Sequence, residues 1–178
     1  GYVYKIDTRL RPSGNAGPLV TSLDSFRSYH RDEAQIWERQ ALTKARVVYG
    51  DEALTKGIEE VIRDTVYGAG ADESMRSEIH RLRMRMESEI ARESAGSYNI
   101  KTGRGGMVDV EFIVQYLQLA YGRDFPDIRS TNTIEALQAI KGCNLIPEEE
   151  GDTLLNGYIC LRRLEYRLRI VHDYSMND

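Results

Sequence analysis

The stretch Gly103-Arg104-Gly105-Gly106-Met107-Val108-Asp109-Val110-Glu111-Phe112-Ile113-Val114-Gln115-Tyr116-Leu117-Gln118-Leu119-Ala120-Tyr121 decides the architecture. A glycine-rich turn opens a run from Met107 to Tyr121 that is apolar on nearly every side. A helix of that kind belongs at the centre of a packed domain, because it needs apolar partners all round.

Those partners are legible on both sides. Upstream, Met75, Ile79, Leu82, Met86 and Ile90 recur every three or four residues, with Arg81, Arg83, Arg85 and Glu87 between them. This pattern predicts an amphipathic helix whose apolar face packs and whose charged face is solvated. Tyr98 to Gly106 reads as an extended segment that turns through Gly103-Arg104-Gly105-Gly106 into the central helix. Further back, Gly50-Asp51 is a stop followed by a cap, and Leu54, Ile58, Val61, Ile62 and Thr65 keep helical spacing up to Gly68-Ala69-Gly70. Ahead of that, a helix is expected from about Ala34 to Val48, striped by Ala34, Trp37, Ala41, Ala45 and Val48. A shorter one, capped by Thr21 or Ser22, runs through Tyr29. Downstream, Thr131 to Ile140 and Pro147 to His172 give two more helices, the longer striped by Leu154, Tyr158, Leu161, Leu164, Leu168 and Val171.

The first residues differ. Tyr2 to Asp7 alternate aromatic and β-branched positions, which is strand chemistry, and Arg11-Pro12-Ser13-Gly14-Asn15-Ala16-Gly17-Pro18 breaks the run. One strand cannot satisfy its own backbone, which is the mark of a fragment. The start at Gly1-Tyr2-Val3-Tyr4 without methionine and the end at Asp178 soon after a strong helical pattern read as cuts. The expectation is a mainly α protein: about seven helices in a bundle over residues 21–178, preceded by one or two strands in residues 1–20 that end another domain.

The 178 residues suffice for a core, and 41% hydrophobic with 29% charged residues and four prolines suits a helical globular protein. The 28 acidic and 24 basic residues are mixed along the chain, so no field of one sign attracts nucleic acid or anionic lipid. No run approaches the roughly 18–20 apolar residues that span a bilayer, and no signal-peptide pattern opens the chain. Cys143 and Cys160 have neither metal-ligand nor redox spacing, which fits a reduced, cytoplasmic compartment. His30, His80 and His172 stand far apart, and zinc or acyl-transfer chemistry is not expected.

Three places carry chemistry. In Lys5-Ile6-Asp7-Thr8-Arg9-Leu10-Arg11-Pro12-Ser13-Gly14, a carboxylate at a strand end stands beside Arg9 and Arg11. It suits metal and phosphate binding, or a plain ion pair at the strand end. In Trp37-Glu38-Arg39-Gln40-Ala41-Leu42-Thr43-Lys44-Ala45-Arg46, Lys44 borders the apolar stripe, where it either grips an anion or extends to water. Asp109 and Glu111 sit on different sides of the central helix and need cationic or hydrogen-bonding partners if buried, arginines such as Arg162, Arg163 and Arg167 among them. The glycines ahead of them are no P-loop, since no lysine followed by serine or threonine comes after.

Read together, Ile6 to Gly14, the Trp37-Glu38 helix and Gly105-Gly106-Met107-Val108-Asp109-Val110-Glu111-Phe112 resemble the glutamine synthetase adenylyltransferase family. The resemblance implies that Asp7 is the third carboxylate of a polymerase-β-like nucleotidyltransferase site and helps hold Mg²⁺. It also implies that Arg9, Arg11 and Lys44 hold the phosphates of ATP, and that Asp109 and Glu111 are associated with the site in a role the residues do not reveal. The family enzyme has two halves, one attaching AMP to a tyrosine of glutamine synthetase and the other removing it by phosphorolysis. Pro12 to Gly17 and Gly105 to Phe112 look closer to the adenylylating half. The other two carboxylates lie upstream in the family, so this chain is expected to lack AMP-transfer activity by itself. Glutamine synthetase and a PII signal protein are the implied partners, which leaves a second reading as a helical docking or regulatory module. The uridylyltransferase of PII, a relative in the same superfamily, resembles the Gly-Gly helix less well.

Overall fold

Met107–Tyr121 is one continuous α-helix in the computed structural model, which describes Thr8 and residues 11–70, 72–94 and 96–172. The chain runs α1 (Leu23–Asp32), α2 (Ile36–Leu42), α3 (Glu52–Tyr67), α4 (Glu73–Met86), α5 (Met107–Tyr121), α6 (Thr133–Gly142) and α7 (Glu148–His172). The protein is mainly helical. The strand expected over Tyr2 to Asp7 lies outside the described residues.

Helix α5 packs against α2, α3, α4, α6 and α7, while α1 lies on α3. Two apolar clusters form around it. Met107, Val110, Val114 and Leu117 meet Ile128, Ala136, Leu137, Ile140 and Tyr158. Leu119 meets Val66, Tyr67, Met75 and Ile79. Gln118, fully buried between them, donates to the carbonyls of Ile128 (2.7 Å) and Ser130 (2.8 Å) and so fixes the turn into α6. None of the described helices is long and apolar enough to cross a membrane.

The helix starts follow the expected capping chemistry. Ser22, Asp51, Asp72 and Asn132 each accept a backbone N–H of the first turn of α1, α3, α4 and α6. Each cap contributes about 1 kcal/mol. Gly68 closes α3 as predicted.

Four expectations are corrected. The helix expected over Ala34 to Val48 is only the seven residues of α2. The N–H groups of Thr43, Lys44 and Ala45 turn to carbonyls three residues back, and the Thr43 hydroxyl also bonds Gln40 O at 2.7 Å. This tightening ends the helix. The expected stripe is also rotated: Glu38, Gln40 and Thr43 are buried, while Trp37 and Val48 are exposed.

In α4, Met75 and Ile79 are buried as expected, yet Arg83 is only 4% exposed, and Ile90, in the wider helical turn Glu87–Ala91 that follows α4, lies in solvent. The segment before the glycine turn, expected to be extended, already turns at Ile100 to Thr102, because Asn99 Oδ1 gathers the N–H groups of Lys101 and Thr102; the turn through Gly103 to Gly106 follows as expected. Along α7 the buried line is Gly151, Tyr158 and Glu165, spaced by seven, while Leu164 and Val171 are exposed. The 25 residues of α7 span about 37 Å against about 15 Å for the ten of α6, so the far end of α7 outruns its neighbour.

This packing makes the two leucines unequal. Leu137→Ala should lower the unfolding free energy by about 2–5 kcal/mol, and Leu164→Ala by less than about 1 kcal/mol. Denaturant titration measures both, and equal losses would refute the described burial.

Candidate functional site

The first two turns of α5 carry the two carboxylates singled out in the sequence, Asp109 in the first and Glu111 in the second. Gly106 is its N-cap and supplies no side chain. The N–H groups of Met107 and Val108 donate to Ile100 O and Lys101 O, both at 3.0 Å. The helix start is therefore satisfied by the preceding turn and offers no open cradle for phosphate. Gly103 and Gly106 are required by close approach. A Cβ at Gly103 would collide with the Glu93 side chain and the Asn99 carbonyl, and one at Gly106 would lie 2.8 Å from Lys101 O.

Asp109 holds this turn in place. Its Oδ1 accepts from Arg83 Nε at 2.5 Å and its Oδ2 from Gly105 N–H at 2.6 Å. Arg83 also donates to Gly103 O (2.9 Å) and lies 3.4 Å from Glu87. One carboxylate thus ties the glycine turn to α4, and the arginine it neutralises is buried in the interface.

Glu111 faces the other way. Its Oε1 accepts from the Tyr158 hydroxyl at 2.8 Å. Tyr158 is pushed up to about 12, chiefly by burial; the bond to Glu111 adds to the rise, and one with Thr133 opposes it. Thr133 Oγ1 also accepts from Lys44 Nζ (2.8 Å), which donates in addition to Thr131 O (3.0 Å). Burial lowers the pKa of Lys44, and the negative charge of Glu111 partly offsets this. Lys44, Thr133, Tyr158 and Glu111 therefore form one network joining the end of α2 to α5, α6 and α7.

The two remaining arms stand apart. Arg11 donates to the carbonyl (2.6 Å) and hydroxyl (3.1 Å) of Thr8 and to Gly17 O (3.3 Å), closing its own loop. Asp7 and Arg9 lie outside the described residues. No described pocket is lined by both Arg11 and Lys44. Among the described residues no three metal-ligating side chains come together. The structure thus joins Lys44 to Glu111, and it places Asp109 with Arg83 and not with Arg162, Arg163 or Arg167.

Sequence reasoning missed Arg83, which the amphipathic pattern assigns to the solvated face, and Glu38. Glu38 accepts from Tyr29 Oη and from Gln35 N–H, both at 2.8 Å, so it joins α1 to α2 while closing a capping box. Its position three residues after Gln35 was the available signal. Gln40 reaches across to Gln115 Oε1 at 2.7 Å, a pairing with no local signature.

Two outcomes test these contacts. Asp109→Asn strands a buried arginine and should cost about 2–3 kcal/mol, most of it recovered when Arg83→Met is added; a loss that persists in the double variant contradicts the clasp. The raised pKa of Tyr158 acts on stability at alkaline pH. Its contribution is complete below the ordinary tyrosine value near 10 and is lost as pH rises from there to about 12. Tyr158→Phe should therefore lose less stability across that window than the parent, and identical slopes would contradict the burial of the Tyr158 hydroxyl.

Two family models match the chain. Residues 1–61 match GlnE, glutamate-ammonia ligase adenylyltransferase. Residues 73–178 match GlnD PII-uridylyltransferase. The first covers the Ile6 to Gly14 run and the Trp37-Glu38 helix. The second covers the Gly-Gly helix, where the resemblance to the uridylyltransferase had been expected to be weaker. Glutamate-ammonia ligase is glutamine synthetase, and the second match spans more than half of the 178 residues. On these matches the chain belongs to the nucleotidyltransferase family of glutamate-ammonia ligase adenylyltransferase and PII-uridylyltransferase, as an adenylyltransferase-family member.

Proposed function

We propose that this chain serves the adenylylating half of an enzyme that transfers AMP from ATP to a tyrosine of glutamine synthetase. The observation that carries the reading is Lys44. It is half-buried at the end of the Trp37-Glu38 helix, and its two described hydrogen bonds go to neutral oxygens. A desolvated ammonium so placed attracts an anionic ligand more strongly than a solvated lysine does. The adenylyltransferase match over residues 1–61 supports the same reading, since it includes Asp7, Arg9, Arg11 and Lys44.

In this reaction the tyrosine oxygen bonds to the α-phosphorus of ATP, the bridging bond to the β-phosphate breaks, and pyrophosphate leaves with the displaced electron pair. Arg9, Arg11 and Lys44 hold phosphate oxygens, and Asp7 takes the hydroxyl proton or ligates metal. Mg²⁺ and ATP are the cofactor and substrate the reading calls for. Asp7 is the residue of this chain that would hold the ion, and no further donor set for it comes together among the described residues. Glutamine synthetase and PII are the proposed partners.

A second reading, as a docking module, is favoured by the far end of α7, where Leu164, Tyr166, Ile170 and Val171 are exposed. Exposed apolar side chains around the end of a helix that outruns its neighbour suit a contact surface.

ATP titration followed through the partly exposed Trp37 on α2 separates the two. Lys44→Met should fold with an unfolding free energy within about 1 kcal/mol of the parent and bind ATP at least about tenfold more weakly. Equal ATP affinity in parent and variant would remove the nucleotide role of Lys44. A parent with no ATP response would favour docking, with glutamine synthetase and PII as the next ligands to titrate.

A further inference from the structure

A cleft of about 490 Å³ lies where α1, α2 and α3 meet, lined by Arg27, His30, Arg31, Arg39, Asp64 and Thr65 among others. Two of its nitrogens are out of place in a closed core. Arg39 donates through Nε to Thr65 O at 3.0 Å, but its Nη2 is buried without a hydrogen-bond partner among the described residues. His30 Nδ1 is buried and unpartnered in the same way. The imidazole is held edge-on by Phe26 (centroids 4.3 Å apart) and Tyr29 (5.3 Å). A buried polar nitrogen left without a partner costs about 1–3 kcal/mol, more when charged, so the Arg39 donor calls for an acceptor, which His30 Nδ1 shares when it carries the ring proton.

The charges around them point to the sign of that acceptor. Arg27 and Arg31 stand on α1 in exposed pairs with Asp24 (3.5 Å) and Asp32 (2.8 Å), and pairs of that kind exchange partners at little cost. Of the two carboxylates lining the cleft, Asp64 already contacts Arg63 at 3.2 Å, and Glu60 is the other. Of the three guanidinium groups lining the cleft, Arg27 and Arg31 have the exchangeable carboxylate partners Asp24 and Asp32, while Arg39 makes no described ion pair. Burial lowers the pKa of both Arg39 and His30, with Asp72 opposing it for Arg39 and Glu38 for His30. An anion arriving in the cleft would relieve that desolvation. The volume is that of a small-molecule site, and a guanidinium fork matches an oxyanion bidentately.

We propose that this cleft binds the oxyanion of a small metabolite, a phosphate or carboxylate group, gripped by Arg39 and His30 with Arg27 and Arg31 at the mouth. Lys44 does not line it, so this site and the proposed ATP contact succeed or fail separately.

The test follows the His30 imidazole resonances of the whole chain during titration with inorganic phosphate and, separately, acetate, at constant ionic strength held with chloride. The expected result is a saturable shift with at least one of the two anions. Arg39→Gln should weaken it at least about tenfold, the loss of one charge-assisted contact, while Lys44→Met leaves it unchanged. Saturation by phosphate alone or acetate alone assigns the group. A shift that never saturates with either anion, or an Arg39→Gln variant that binds like the parent, overturns the site. Should Arg39→Gln fail to fold, the exposed pair Arg27→Gln and Arg31→Gln replaces it. Several-fold weaker binding in that double variant supports the site, and unchanged binding overturns it.

Discussion

A helix that is apolar on nearly all sides cannot rest against one partner, and this constraint organises the protein. Met107 to Tyr121 buries residues toward α3 and α4 on one side and toward α6 and α7 on the other. Both cores exist because of the same fifteen residues. The glycine turn before them, the Gln118 contacts after them and the lengths of the flanking links all serve to bring five helices onto one.

Charged groups lie at the seams of this packing, not at its surface alone. Arg83 with Asp109 closes the seam between α4 and α5. Glu165, 2% exposed, is held by Arg162 (2.7 Å) and Arg169 (2.8 Å) along α7. Lys141 and Asp152 join α6 to α7. Buried ion pairs add little net stability over apolar residues of the same size, but removing one member is costly. They act here to hold one arrangement of helices: Arg83 satisfies the carbonyl of Gly103 only when the glycine turn adopts the shape that also lets Asp109 reach Gly105 N–H.

Period and punctuation made most of the helices readable. Asp51, Ser22 and Gly68 end or begin helices through local chemistry, and the apolar run of α5 announces burial whatever surrounds it. What escaped was tertiary in origin. The pattern of α4 gives Arg83 to solvent, because nothing local says that Asp109, twenty-six residues on, will meet it. The helix read across Ala34 to Val48 stops at Leu42, where Thr43 bonds back to Gln40. Within it the buried line falls on Glu38 and Gln40, because their partners Tyr29 and Gln115 come from α1 and α5. Lys44 was singled out by its place beside apolar positions, although the groups that hold it, Thr131 and Thr133, lie nearly ninety residues away.

The two family matches leave a gap between residues 61 and 73, yet the packing does not divide there. Helix α3 runs unbroken from Glu52 to Tyr67, and Gln40 and Lys44 from the first matched segment bond to Gln115, Thr131 and Thr133 in the second. The side chain of Lys44 is therefore positioned by residues of the other match. A change at Thr133, Tyr158 or Glu111 acts on the lysine through this network, while a change at Asp109 acts on the glycine turn through Arg83. Two carboxylates two residues apart on one helix thus do different work: Glu111 is coupled to the Trp37-Glu38 helix, and Asp109 secures the helix start on which that coupling depends.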